Sequence, residues 1–375
     1  MRVLVTGGAG FIGGRVVDLL LDRGDEVVVL DGLDPQVHPS EEWPEWSLLA
    51  AERGARLHRV TLPDAEAVGR ILDDGIEAVV HLAARVGVGQ SAYEIERYTT
   101  ANGSGTASLL DEVVKRQATI RRVLVAGSMS CYGEGRVFGS GGDVPGWDRR
   151  PDDLGRGRWD LVDPSDGRRV YGVPTTEETP LRCSSVYAES KRVQEELTRI
   201  ACGSYGISWA VTRFFNVYGP RQALSNPYTG VAAIFSSRLR AGRAPLVFED
   251  GEQARDFVYV DDVARAVLAL LDRPECVGVY NVGTGRRTTI REIALALGRV
   301  LGVPDLGVNI TGTYRIGDIR TCYADATKIA KATGWTAEVS LDEGLRSLAE
   351  WVSSQESEDR TDAAVEALRV RGLVR

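Results

Sequence analysis

Tyr187 and Lys191 stand four residues apart in Val186-Tyr187-Ala188-Glu189-Ser190-Lys191, a stretch with helical periodicity. At i and i+4 they share one helix face and reach the same ligand. A phenol with a pKa of about 10 is a poor base at neutral pH, but a nearby ammonium favours its phenolate, so the pair is suited to taking and returning a hydroxyl proton. A second constellation is Thr6-Gly7-Gly8-Ala9-Gly10-Phe11-Ile12-Gly13. Gly7 and Gly10 permit a tight turn that a pyrophosphate can approach, and Gly13 lets the following helix, opened by Phe11 and Ile12, lie close to the preceding strand. Asp31, at the end of the second strand, is placed to bind a ribose 2′-hydroxyl and would repel a 2′-phosphate. The expected cofactor is therefore NAD. Arg15 argues the other way, since a basic residue just after the glycines could pair with a 2′-phosphate; its simpler reading is an exposed helix residue.

Positioning these groups requires a strand before each loop and a helix after it. Arg2 to Thr6, Glu26 to Leu30, Arg56 to Val60, Ala78 to Leu82 and Arg122 to Ala126 read as strands, with helical patterns between most of them. Strands apolar on both faces and alternating with helices predict a Rossmann-type, doubly wound parallel sheet in an α/β protein. From Glu134 to Thr179 no period is sustained, and this stretch reads as a long loop. A helix is expected from Val186 to Tyr205, a strand from Ser208 to Phe214, and helices at Asp261 to Leu271, Thr289 to Leu301 and Ala326 to Thr333. The acidic run Ser353 to Asp362 and a last helix with a basic end read as peripheral.

The 375 residues carry a net charge of -8, with 43% hydrophobic and 26% charged residues. That excludes disorder and argues against a nucleic-acid surface, while leaving room for a local basic pocket. Five cysteines without a C-x-x-C pair indicate neither a metal site nor a disulfide framework. No apolar run approaches the ~20 residues of a membrane span. A cytoplasmic protein is expected.

The order and spacing of several motifs resemble the extended short-chain dehydrogenase/reductase family and its nucleotide-sugar epimerases and dehydratases. These are the glycine turn, H-L-A-A at His81 to Ala84, N-G-S-G-T at Asn102 to Thr106, Y-A-E-S-K at Tyr187 to Lys191, and R-F-F-N-V-Y-G-P at Arg213 to Pro220. The resemblance implies that Leu82, Ala83, Ala84 and Asn102 bind the cofactor with the glycine turn, and that Lys191 bonds the nicotinamide ribose while Tyr187 handles a sugar hydroxyl. Thr61 and Leu62 stand where relatives have an Asp-hydrophobic pair that meets the adenine. Ser128 falls on the position that bonds the reacting oxygen; His81 is expected to pack beneath the cofactor rather than react. The implied division is a cofactor domain at 1-213 with 256-283 returning to it, a smaller mixed α/β substrate domain at 214-255 and 284-352, and a tail at 353-375.

On the substrate side, Arg255, and Arg315 with Asp318, match segments that bind the diphosphate of a nucleotide sugar in relatives, and Asn216 resembles another diphosphate ligand. Arginine suits that role by its planar, bidentate fork. Segments Ala84 to Ser91, Ser128 to Gly135 and Ser225 to Phe235, which include Val88, Ser130 and Val231, are similar to the dTDP-L-rhamnose 4-epimerase branch. Many relatives there carry paired cysteines in the long loop after Ser128; here it has none, so no metal is expected. Sugar 4,6-dehydratases have Asp-Glu after the catalytic hydroxyl residue, where this chain has Met129 and Ser130. The resemblance thus implies C4 epimerisation of a dTDP-linked 6-deoxyhexose in a homodimer pairing through two helices. Two readings stay open: a 4-ketoreductase using the same residues, and a nucleotide-sensing protein without catalysis.

Overall fold

The computed structural model describes residues 1-228, 230-355 and 358-375. Thr229, in one of the resembling segments, and Glu356 and Ser357, in the acidic run, lie outside the described residues. The first half alternates β1 (Arg2–Thr6), α1 (Phe11–Asp22), β2 (Glu26–Asp31), α2 (Glu45–Glu52), β3 (Arg56–Arg59), α3 (Ala65–Leu72), β4 (Ala78–His81), the short α4 (Val88–Ser91) and α5 (Ile95–Tyr98), α6 (Gly105–Lys115) and β5 (Arg122–Ser128). The run Leu4-Val5 in β1, Val27 to Leu30 in β2 and Ala78 to Val80 in β4 is buried throughout. Strands apolar on both faces need helices on both faces, and the sheet is covered in that way.

The sequence between Arg136 and Val173 departs from the expected loop. It forms β6 (Arg136–Gly139), β7 (Gly142–Pro145), a single helical turn α7 (Pro151–Leu154) and β8 (Tyr171–Val173), and the strands pair antiparallel in the order β7-β6-β8. Val137, Leu161 and Val170 close a small core under Val144 and Trp147. Strands of three or four residues are too short to show a period, and this core joins residues far apart in the chain.

The chain continues with α8 (Val186–Ser204), β9 (Ser208–Phe214), β10 (Asn216–Tyr218), α9 (Val231–Arg240), β11 (Leu246–Val247), β12 (Ala254–Arg255), β13 (Phe257–Tyr259), α10 (Val260–Leu271), β14 (Gly278–Val282), β15 (Thr288–Thr289), α11 (Ile290–Val300), β16 (Asn309–Ile310), α12 (Thr327–Thr333), α13 (Leu341–Ser354) and α14 (Thr361–Val370). The seven-stranded sheet has the order β14-β9-β5-β4-β1-β2-β3, and all of its pairs are parallel. Strand order reverses between β1 and β4, which opens a crevice at their carboxyl ends. One face of the sheet is packed by α1 and α10 residues such as Val16, Leu20, Val263 and Val267, and the other by Val68, Leu109 and Val113 of α3 and α6. A separate cluster unites α9, α11 and α13 through Phe235, Ile293, Leu297 and Leu345. Helix α11 starts with a capping box in which Thr289 and Glu292 satisfy each other's backbone N–H. Among the described residues no helix is long and apolar enough to cross a membrane.

Candidate active site

A continuous cleft of about 1180 Å3 runs from the glycine turn to the α9, Arg255 and Arg315 side. Its cofactor end is set by steric limits on the turn. Gly7 has φ +71°, and a Cβ there would stand 2.8 Å from the Ala83 amide nitrogen; a Cβ on Gly13 would stand 2.0 Å from the Gly7 carbonyl oxygen. Both positions therefore demand glycine. Gly10, Phe11 and Ile12 line the cleft beside them, and so do Leu82, Ala83 and Ala84 after β4 and Thr61 and Leu62 after β3.

Asp31 accepts from the Ala9 amide at 3.0 Å with Oδ2 and from the Leu33 amide at 2.9 Å with Oδ1, fixing an anionic edge on the cleft. Arg15 differs from the exposed residue expected: its guanidinium donates to both oxygens of Asp261, at 2.6 and 2.8 Å. An arginine held in this bidentate pair is drawn away from a 2′-phosphate, so it no longer argues against NAD. Trp46, which sequence reasoning missed, donates from Nε1 to the Ala9 carbonyl at 2.9 Å and lies under the Arg221 guanidinium. No local pattern marks that indole as a brace of the glycine turn.

Asn102 requires a correction. Its side chain is fully buried, accepts from the Arg85 amide at 2.7 Å, and donates to the Arg85 carbonyl at 3.1 Å and to Ser190 Oγ at 2.8 Å. It does not line the cleft; it ties the Ala84-Arg85 loop to α8 and acts on the cofactor edge only through that loop. His81 is likewise sealed between Thr6 Oγ1 at 2.7 Å and Thr106 Oγ1 at 2.8 Å, and burial pushes its pKa down to about 3. It is a neutral packing residue.

At the middle of the cleft, α8 presents Tyr187 and Lys191, and β5 ends on Ser128. The helix is started by Ser185, whose side chain accepts from the Ala188 amide, and its backbone is held at Tyr187 by a bond donated to Ser91 Oγ at 3.0 Å. Burial raises the pKa of the Tyr187 phenol to about 12, and the neighbouring Ser128 hydroxyl pulls it back down in part. Ser130 Oγ lies 2.8 Å from Ser128 Oγ.

Lys191 lies one turn further along α8. Its ammonium donates to Gln194 Oε1 at 2.7 Å, and burial lowers its pKa to about 8. Gln194 was missed by the sequence reading, though it stands three positions after Lys191 on the same helix.

At the far end, Asp318 is gripped by two arginines. Arg255 Nη2 donates to Oδ1 at 3.0 Å, and Arg315 donates to Oδ2 from Nε at 3.1 Å and Nη2 at 2.8 Å. The paired arginines hold the Asp318 carboxyl well below the usual range despite its burial. Its oxygens are committed to these partners, so Asp318 positions the arginines rather than meeting the substrate itself. Val88, Ser130, Asn216 and Val231 all line the cleft. Asn216, Gln222 and Gln253 each present a buried amide oxygen without a protein partner, and Gln222 and Gln253 carry no sequence signature. Buried amides left unpaired at one cleft point to a polar ligand. The start of α9 adds backbone N–H groups, with Gly230 and Val231 on the cleft wall.

A second correction concerns residues 353-375. Helix α14 and Leu373 line the cleft instead of lying apart from it. The signal was hidden because the segment reaches the site only by folding back across the chain.

Comparison with known proteins agrees with this geometry. The model of the NAD dependent epimerase/dehydratase family matches residues 3–146 and 165–283. The chain is 35% identical over 359 residues to a dTDP-L-rhamnose 4-epimerase of Burkholderia thailandensis, covering 94% of this chain and 95% of that one. It is 31% identical over 361 residues to a UDP-glucose 4-epimerase of Mycolicibacterium smegmatis, covering 94% and 98%. A UDP-glucose 4-epimerase of Thermus thermophilus, solved in complex with NAD, superposes with a TM-score of 0.73 at 31% identity, covering 95% of this chain and 100% of that one. The glycine turn with Asp31 beside it, Ser128, Tyr187 and Lys191 on one cleft, and the similarity along 94% of the chain converge, and the chain belongs to the NAD-dependent epimerase/dehydratase family with NAD as its cofactor.

Proposed function

We propose that the protein is a C4 epimerase of a nucleotide-linked 6-deoxyhexose of the dTDP-L-rhamnose type. The two residues after Ser128 carry this reading. Elimination of water needs an acid and a base beside the reacting hydroxyl. Here Met129 is packed with Tyr132 and Phe215, and Ser130 pairs with Ser128, so those two positions bring no carboxylate to the sugar. Oxidation and reduction at one carbon remain.

In this mechanism NAD supplies the acceptance and return of a hydride and a positive ring that favours phenolate. Tyr187 holds the 4-hydroxyl proton, with Ser128 donating to the same oxygen as it becomes a ketone. Lys191, anchored by Gln194, holds a positive charge below. Arg255 and Arg315, set by Asp318, grip the diphosphate, and Asn216, Gln222 and Gln253 offer amides to the nucleotide and sugar. A fixed diphosphate with a free sugar allows the 4-keto sugar to turn and be reduced on its opposite face.

A dTDP-linked 6-deoxy substrate is supported by the segments around Val88, Ser130 and Val231 and by the 35% identical relative. Pairing of two copies through α6 and α8 is part of the reading, supported by Ile200 exposed on α8. A cytoplasmic setting is supported by the five free thiols. The test is incubation of the purified protein with a panel of dTDP- and UDP-hexoses without added nicotinamide, followed by NMR of the products. Interconversion of C4 epimers is expected; stoichiometric consumption of added reduced nicotinamide would establish the ketoreductase instead.

A further inference from the structure

Residues 361-375 are anchored at both ends. Near the start, Arg238 of α9 donates to Asp359 at 3.3 Å and to Asp362 at 2.7 Å, and Arg243 donates to Asp362 at 2.9 Å. At the end, the segment pairs antiparallel with the loop that carries Arg315. The Tyr314 amide donates to the Arg375 carbonyl at 2.8 Å, the Arg375 amide to the Tyr314 carbonyl at 3.0 Å, and the Ile316 amide to the Leu373 carbonyl at 3.0 Å. Between these anchors, Thr361, Ala364, Val365 and Leu368 have the i, i+3, i+4, i+7 spacing of one helix face, and all four line the cleft.

That face packs against α4, the neighbour of the helix that carries Tyr187. A Cβ on Gly89 of α4 would come within 3.3 Å of Leu368 Cδ1, so the missing side chain admits α14 to this distance. Two residues on, Ser91 Oγ accepts from the Tyr187 amide at 3.0 Å. Helix α4 therefore touches Tyr187 on one side and Leu368 on the other. The outer edge is closed by the Arg371 guanidinium, 4.3 Å over the Tyr93 ring, whose hydroxyl meets that of Tyr228 at 2.7 Å.

We propose that residues 361-375 are the roof of the sugar site, and that the apolar face of α14, with Leu368 at its centre, selects a hexose carrying no polar group at C6. Past Thr361, that face provides neither donor nor acceptor. A 6-hydroxyl or 6-carboxylate placed beneath it would be buried without a partner, whereas a methyl group would be buried favourably. The roof also keeps water from the 4-keto sugar while it turns. This inference rests on the proposed C4 chemistry of a nucleotide hexose.

The experiment compares kcat/KM for a 6-deoxy and a 6-hydroxy dTDP-hexose in the parent protein, in Leu368→Ala, Leu368→Asn and Leu368→Met, and in a chain ending at Arg360. Retained NAD is measured in each. In Leu368→Ala and Leu368→Asn the preference for the 6-deoxy sugar should fall about tenfold, with NAD retention unchanged, and Leu368→Met should keep the parent preference. The shortened chain should show the same loss of preference and release 4-keto sugar into solution. A preference within about twofold of the parent in both Leu368→Ala and Leu368→Asn overturns the roof whether or not the shortened chain folds. A parent protein that epimerises no nucleotide hexose overturns the proposed function instead.

Discussion

Lys191 Nζ donates to Gln194 Oε1 at 2.7 Å, so the charged residue of the proposed catalytic pair is held from within its own helix. Gln194 is in turn fixed by its amide nitrogen, 2.7 Å from Thr106 Oγ1 and 3.2 Å from His81 Nε2. A bond accepted from an ammonium favours the charged form, and deleting it lowers the pKa. Activity that needs the ammonium is present below that pKa and lost as pH rises through it. Lys191 starts from about 8, so Gln194→Leu should move the alkaline limb of the kcat profile to lower pH and reduce kcat about tenfold. His81 stays neutral throughout and does not contribute to that limb. A pH-rate profile checks this, and an unmoved limb contradicts it.

A Tyr187 phenol raised to about 12 beside the Ser128 hydroxyl predicts unequal consequences at the two residues. Tyr187→Phe removes the proton carrier and should lower kcat by about 10²–10⁴, whereas Ser128→Ala, leaving the carrier in place, should lose less. Steady-state rates with retained NAD as the folding control would show it. An unaffected Tyr187→Phe would remove Tyr187 from its assigned role.

Cofactor choice should depend on two carboxylates together. Asp31→Ser removes the group facing a 2′-phosphate, yet Arg15 remains paired with Asp261. The single change should therefore weaken NAD by about 1.5–3 kcal/mol without creating strong NADP binding. Adding Asp261→Asn should release Arg15 and improve NADP affinity. Titration calorimetry of the two variants with both dinucleotides decides between coupled and independent effects.

The segment of β6, β7, α7 and β8 is braced to the Asp318 loop by Arg149, whose guanidinium meets Glu134 at 3.0 Å and Glu249 at 2.7 Å and donates to the Asp318 carbonyl at 2.8 Å. Both partner carboxylates are buried, and burial already raises the Glu134 pKa to about 7. Arg149→Met would leave Glu134 to the Arg320 and Thr321 amides and Glu249 to Arg320, and should cost about 1–3 kcal/mol in denaturant unfolding. It should also raise KM for the nucleotide sugar more than it lowers kcat, because Asp318 sets the two arginines. A change confined to stability would leave the brace without a role at the diphosphate end.

Local sequence determined the sheet and the chemistry placed at its edge. The run from Ser208 to Phe214 is a strand as expected, and α8 spans Val186–Ser204 against an expected end at Tyr205. Gly7 and Gly13 carry their own steric reason, and Tyr187 and Lys191 their own helical spacing. These signals are readable because each depends on neighbours within a turn or two. The fates of Asn102, Asp318, Arg15 and Arg149 depended on partners that a sequence reading cannot supply, since the hydrogen bonds that occupy them come from distant elements. The small core of Val137, Leu161 and Val170, and the return of Leu368 to Gly89, arise in the same way. A side chain's type sets what it can bond, but only the folded chain decides which bonding groups reach it first, and hence which groups remain available to a ligand.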